Sequence, residues 1–208
     1  MNASTNTIIK TVRHMMPARP VTLGEAYLLA EQQATRLLEL LDIRHAPVEV
    51  ARIGDLPKIE IAVEPRWRMD RLAGFSRRWE NGRWLITVNK QDTPGRRRFT
   101  LAHETKHILD HTIHRIAYAQ LGYGDDQKQA KQIESICGHF AACLLMPRLW
   151  VKRAWANGIQ DVEALAGLFN VSLTAMNVRL FYLGFTTGDD RPIKAYFRRS
   201  TRLTVAAI

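Results

Sequence analysis

The stretch His103-Glu104-Thr105-Lys106-His107 limits what this chain can fold into more than any other part of it. Phe99, Leu101 and Ala102 precede it and Ile108 and Leu109 follow, all at helical spacing, so the segment reads as a largely buried helix. Four residues is about one turn, so both imidazoles leave the same face, close enough to share one metal ion. Buried imidazoles and carboxylates need partners, and a cation supplies them. Glu104 follows the first histidine directly and is placed to handle a proton beside the ion rather than to ligate it.

Two imidazoles do not complete a hydrolytic metal site, which normally takes three protein ligands and keeps one open position. A third histidine farther along the same segment is absent, because Ile113 stands where it would be and Asp110 stands where that motif needs glycine. The remaining source is a carboxylate from a second helix. Residues 126–146 read as that helix, ended by Pro147, and Glu134 is the one acid in its apolar stretch. Cys137, Gly138 and Ala141 follow Glu134 at three, four and seven residues, a stripe small enough to let two helices approach closely. The competing reading is a surface glutamate paired with Lys128 or Lys131; the neighbours Ile133, Ile136 and Phe140 argue against it. His111, His139, Tyr118 and Tyr123 are further candidates for an outer partner or a transition-state donor, and spacing does not choose among them.

The rest of the chain reads as a frame for these two helices. Residues 1–20, with Pro17 and Pro20, show little periodicity and read as a loose arm. Residues 21–41 are helical, with Thr22 as the cap and Glu25 three residues later. Ile59 to Val63 alternates like a strand, and residues 72–76 and 84–88 flank Asn81-Gly82, a dipeptide suited to a hairpin turn. Thr93-Pro94 opens the metal helix. Residues 160–169 and 172–183 read as two short helices joined at Asn170-Val171, with Ser172 as the second cap. Such a pair resembles a helix-turn-helix, with Thr174 and Asn177 as modest candidates to reach DNA and Arg179 nearby; the favoured reading is a packing unit that holds the core or grips a partner.

Composition sets the outer bounds. At 208 residues, 46% hydrophobic and 24% charged, the chain suits a compact domain and excludes wholesale disorder. Thirty basic against 20 acidic residues leave a net charge of +10, which makes nucleic-acid contact an expectation. Cys137 and Cys143 are six residues apart on one helix, so they face different ways and read as buried, unbridged thiols of a reducing compartment. With no apolar run of about 18 residues and a polar start, a cytoplasmic protein without membrane contact is expected.

The stretches Arg97-Arg98-Phe99-Thr100-Leu101-Ala102-His103-Glu104 through His107, and Ile133-Glu134 through Phe140-Ala141-Ala142-Cys143-Leu144-Leu145-Met146-Pro147, resemble the ImmA/IrrE family of zinc metallopeptidases. The hairpin ending Trp84-Leu85-Ile86-Thr87-Val88-Asn89 fits the same family. The resemblance implies an α+β, zincin-like and mostly helical peptidase core with a small antiparallel β-sheet over residues 21–150. A helix-turn-helix-like segment over 151–185 packed on that core and a basic tail over 186–208 would follow it. It further implies one zinc ion held by His103, His107 and Glu134, with Glu104 as general base. The substrate class it implies is a helix-turn-helix transcriptional repressor, whose cleavage relieves repression of mobile-element or stress-response genes. Thr105-Lys106 departs from the family's frequent Leu-Gly, and a charged Lys106 there would tune access or substrate choice. The competing function is a DNA-binding regulator or antitoxin-like partner with a structural zinc; an intact Glu104 favours the peptidase, since a structural site needs no base.

Overall fold

A computed structural model describes residues 5–69 and 72–185. The basic tail expected over residues 186–208 lies outside the described residues.

Where a loose arm was expected, Thr5–Arg13 forms a helix, α1. Its Ile8 and Val12, with Met16 beyond it, are buried against the core at four-residue spacing. A three-contact stripe this short carries a weak periodic signal, and burial against the rest of the chain supplies most of the stability of such a helix.

Helix α2 (Leu23–Leu40) starts as expected, with the Thr22 hydroxyl accepting from the Glu25 backbone N–H at 3.2 Å. Ala26, Ala30, Ala34 and Leu37 line one of its faces, fully buried. That smooth stripe meets α5 (Asp126–Leu145), whose first turn is capped by Asp125 accepting from the Lys128 N–H at 3.0 Å. Helix α3 (Pro94–Asp110) opens on Thr93, which caps the Arg96 N–H, with Pro94 in the first turn, where its missing N–H costs nothing. Small residues let α5 pack closely against both α2 and α3.

The strands are β1 (Ile59–Glu64), β2 (Gly74–Arg78) and β3 (Trp84–Asn89), in the order β1-β3-β2. The β2–β3 pair is the expected antiparallel hairpin, with Gly82 in the turn at φ 77°. However, β1 runs parallel to β3, so the sheet is mixed and not wholly antiparallel. The crossover from β1 to β3 passes through β2 and returns β1's direction, a relation that no local pattern encodes. Helix α3 packs on β2 and β3. Gly74 is needed there, since a Cβ would fall 2.3 Å from Thr100 Cγ2 and 2.7 Å from the Thr87 carbonyl oxygen.

After a short helix, α4 (His114–Ala117), and α5 comes α6 (Arg148–Ala156), which the sequence reading passed over. Its inward stripe is only Val151 and Ala154, too short to stand out after Pro147. Helices α7 (Val162–Phe169) and α8 (Leu173–Leu183) follow, capped by Asp161 and Ser172 and joined through Asn170 in the left-handed region. Their axes turn by 106°, within the range of a helix-turn-helix. No single helix among the described residues is long and apolar enough to cross a membrane.

Candidate metal centre

Helix periodicity brings His103 and His107 to one face of α3, and the small face of α5 brings Glu134 against them. His103 Nε2 lies 3.2 Å from His107 Nε2 and 3.2 Å from one Glu134 oxygen; the other oxygen lies 3.3 Å from His107 Nε2. Hydrogen bonds cannot satisfy this closed triangle, because each Nε2 offers a single in-plane donor or lone pair. Tetrahedral coordination at metal–N and metal–O lengths of about 2.0–2.1 Å separates ligand atoms by about 3.3 Å, and the triangle has that size. The donor set therefore fits one small divalent cation.

Burial and charge agree with that use. His103 is 1% exposed and its Nδ1 has no hydrogen-bond partner among the described residues, so Nε2 alone compensates the buried ring. Burial on its own would raise the Glu134 carboxyl, but the His103 and His107 imidazoles outweigh it and bring it down to about 2. Glu134 is thus an anion across the working pH range. On the far side of His107, Nδ1 lies 3.7 Å from Cys137 Sγ, whose thiol is pushed up by burial. With Nε2 turned to the triangle, Nδ1 carries the proton and donates to that sulfur.

Glu104 is buried beside this group without belonging to it. Ser76 Oγ on β2 donates to Glu104 Oε2 at 2.9 Å, which fixes the carboxylate and ties the hairpin to the metal helix. Ser76 was missed from the sequence. The signal available was its place on the strand face turned to the helix, which is legible only once the strand is docked.

The other candidates go elsewhere. Tyr118 is buried and donates to Asp110 Oδ2 at 2.5 Å. Tyr123 is 88% exposed, with only the Lys128 ammonium over its ring. His139 faces Tyr27 and Cys143 on the other side of α5, and His111 packs its ring against Trp84. None of the four has a contact with the triangle among the described residues. Lys106 also corrects its expectation: it is fully buried and donates to Asp110 Oδ1 and Gln33 Oε1, each at 2.7 Å. It is one residue before His107 and faces away, so it braces the helix and does not tune access.

The free cysteines are both buried and unbridged, as expected. Cys143 sits with His139 and Glu31, ligand types that elsewhere hold metal. Here the Arg148 and Arg179 guanidiniums already hold Glu31, at 2.9–3.1 Å, and supply the positive charge themselves.

Two histidines a turn apart, a glutamate from a second helix and a carboxylate placed as a base are parts from which metal-dependent hydrolases are built. The chain belongs to the Peptidase M78 family, the IrrE N-terminal-like domain, whose model matches residues 67–181, more than half its length. Among solved structures it is similar to a Mycobacterium tuberculosis transcriptional regulator, with a TM-score of 0.62 at 16% identity. That match covers 89% of this chain and 53% of the other, so this chain spans about half the length of that relative and shares its fold. No curated protein sequence matches.

Proposed function

We propose that this protein is a zinc-dependent endopeptidase that cleaves a helix-turn-helix transcriptional repressor and so relieves repression of mobile-element or stress-response genes. The observation that carries the reading is the cation-sized triangle of His103, His107 and Glu134 with Glu104 fixed beside it. Family membership supports the peptidase class, and the regulatory name of the structural relative is compatible with a transcriptional partner.

A zinc ion held by these three residues would polarise a peptide carbonyl and make water acidic enough to attack it near neutral pH. Glu104 accepts the water proton at its carboxylate and passes it to the departing amine. Ser76 keeps that carboxylate in one orientation, and near-complete burial at 3% exposure keeps bulk water from competing. Strand β2 is the edge of the sheet, so its outer backbone groups can pair with an extended substrate.

The test mixes the zinc-loaded chain with a helix-turn-helix repressor encoded next to it and reads fragments by mass spectrometry. The native chain should give discrete fragments. Glu104→Gln should keep one zinc per chain and give none; cleavage by that variant would overturn the mechanism.

The 106° turn between α7 and α8 favours a second reading, a DNA-binding regulator with structural zinc. Thr174 and Asn177 are exposed, but the nearby Arg179 is 2% exposed and bound within the core, so it is not free to reach DNA. Salt-dependent duplex binding by Glu104→Ala would support this reading.

A further inference from the structure

Side chains alternate along a strand, so Ser76 and Arg78 share the face of β2 that Ser76 presents to Glu104. At about 3.3 Å per residue, Arg78 lies roughly 7 Å farther along the same edge. Its register partner on β3 is Trp84, whose ring meets His111 at 4.8 Å. His111 is one turn beyond His107 on α3, and His114 packs near it at 6.4 Å. Arg115 is exposed next to His114. From the α1 side, Arg13 donates to the carbonyls of Ile108 and Leu109 at 2.9 and 3.0 Å. Arg78, Arg13, His114 and Arg115 therefore gather around His111 where the far end of β2 meets the C-terminal end of α3.

Two of the carboxylates nearby are committed. Asp110 is buried with Lys106 and Tyr118, and Glu60 pairs with Arg83. Glu80 lies in the exposed turn beyond β2. Among the described residues, Arg77, Arg78 and Arg115 make no ion pair. Arg77, on the opposite face of β2, stacks on Trp79 at 5.4 Å. The His111 imidazole is held below its ordinary value, by burial first and then by Arg78, His114, Arg13 and Arg115.

We propose that this basic end of the edge strand β2 selects substrates that are acidic on one side of the scissile bond, with Asp or Glu about two residues from the cut opposite Arg78. The proposal rests on the peptidase reading and names its substrate class. An extended peptide is favoured over nucleic acid because Arg78 lies in line with Ser76, the partner of Glu104, along a strand edge, where backbone pairing fixes the register. Arg78 is then a specificity-determining residue, and charge complementarity sets which bond arrives at Glu104.

The experiment digests a mixture of proteome-derived peptides with the zinc-loaded full chain and maps every cut by mass spectrometry. Asp and Glu should be enriched two to four residues from the cut on one side only. Arg78→Glu should abolish that enrichment and lower kcat/KM on an acidic peptide about fivefold or more, while a neutral peptide changes less than twofold. Arg78→Gln should show the same trend more weakly, and Lys152→Glu, an equal charge change on α6, should change nothing. Bound zinc and the thermal midpoint verify that each variant is folded. Cuts without acidic bias, or an Arg78→Glu profile matching the native one, overturn the proposal and leave the peptidase reading standing. Loss of acidic-peptide cleavage to a short DNA duplex at equal concentration would assign the cations to nucleic acid and overturn it too. No cuts at all would overturn the peptidase reading itself.

Discussion

In the proposed reaction Glu104 is the base, and Ser76 spends its hydroxyl on holding it. Ser76→Ala should leave zinc binding unchanged and lower kcat about tenfold, measured at saturating substrate, because the carboxylate loses the hydroxyl that orients it while the triangle is untouched. Cys137 does the corresponding work for His107. Cys137→Ala removes the sulfur that accepts from Nδ1, and zinc affinity should fall about tenfold in chelator competition, with Cys137→Ser retaining most of it. Of the site, the two histidines and Glu104 could be read from five consecutive residues, and Glu134 from the burial of its helix. Ser76 and Cys137 could not be assigned roles that way, because their partners lie 28 and 30 residues off.

Among the elements, the junction between β2 and α3 carries most of the consequence. Gly74→Ala should destabilise the fold by about 1–3 kcal/mol in urea unfolding, because Thr100 and the Thr87 carbonyl leave no room for a methyl. The same variant should weaken cleavage by more than its stability loss predicts, since pushing β2 outward breaks the Ser76–Glu104 bond. Caps and apolar stripes made α2, α3, α5, α7 and α8 legible: Thr22, Thr93, Asp125, Asp161 and Ser172 each accept from the N–H three residues on. Helices α1 and α6 have two or three inward residues each and take their stability from packing, so their periodicity carries little signal.

Across the whole molecule, Arg179 joins the helix-turn-helix-like pair to the peptidase core. Its guanidinium reaches the Met146 carbonyl at 2.9 Å, Cys143 Sγ at 3.3 Å and Glu31 at 3.0 Å, so α8, α5 and α2 meet on one side chain. Arg179→Ala leaves the buried Met146 carbonyl without that partner and the part-buried Glu31 to Arg148 alone, and should cost about 1–3 kcal/mol, read by urea unfolding. The same cluster predicts acid sensitivity. Burial would raise the Glu31 carboxyl, but Arg148 and Arg179 bring it down to about 2, so its contribution is complete above its ordinary 4.5 and fades as pH falls towards 2. Burial, then Arg179, lowers His139 to about 4 from 6.5; the unfolded chain takes up that proton first, so stability also falls between pH 6.5 and 4. The thermal midpoint should therefore drop on acidification from 6.5, and His139→Gln should flatten the upper part of that slope.

Local chemistry in the sequence determined that the long segments α2, α3 and α5 are helical, where they start, and that α3 carries two imidazoles on one face. It determined this because helix periodicity, capping and the cost of burying charge act over a few residues. Tertiary structure alone decided that β1 runs parallel to β3, that Lys106 and Arg179 turn into the core, and which distant side chains meet Glu104 and His107. Those outcomes depend on how separate elements dock, and docking energies arise between residues tens of positions apart that carry no joint signal in one chain.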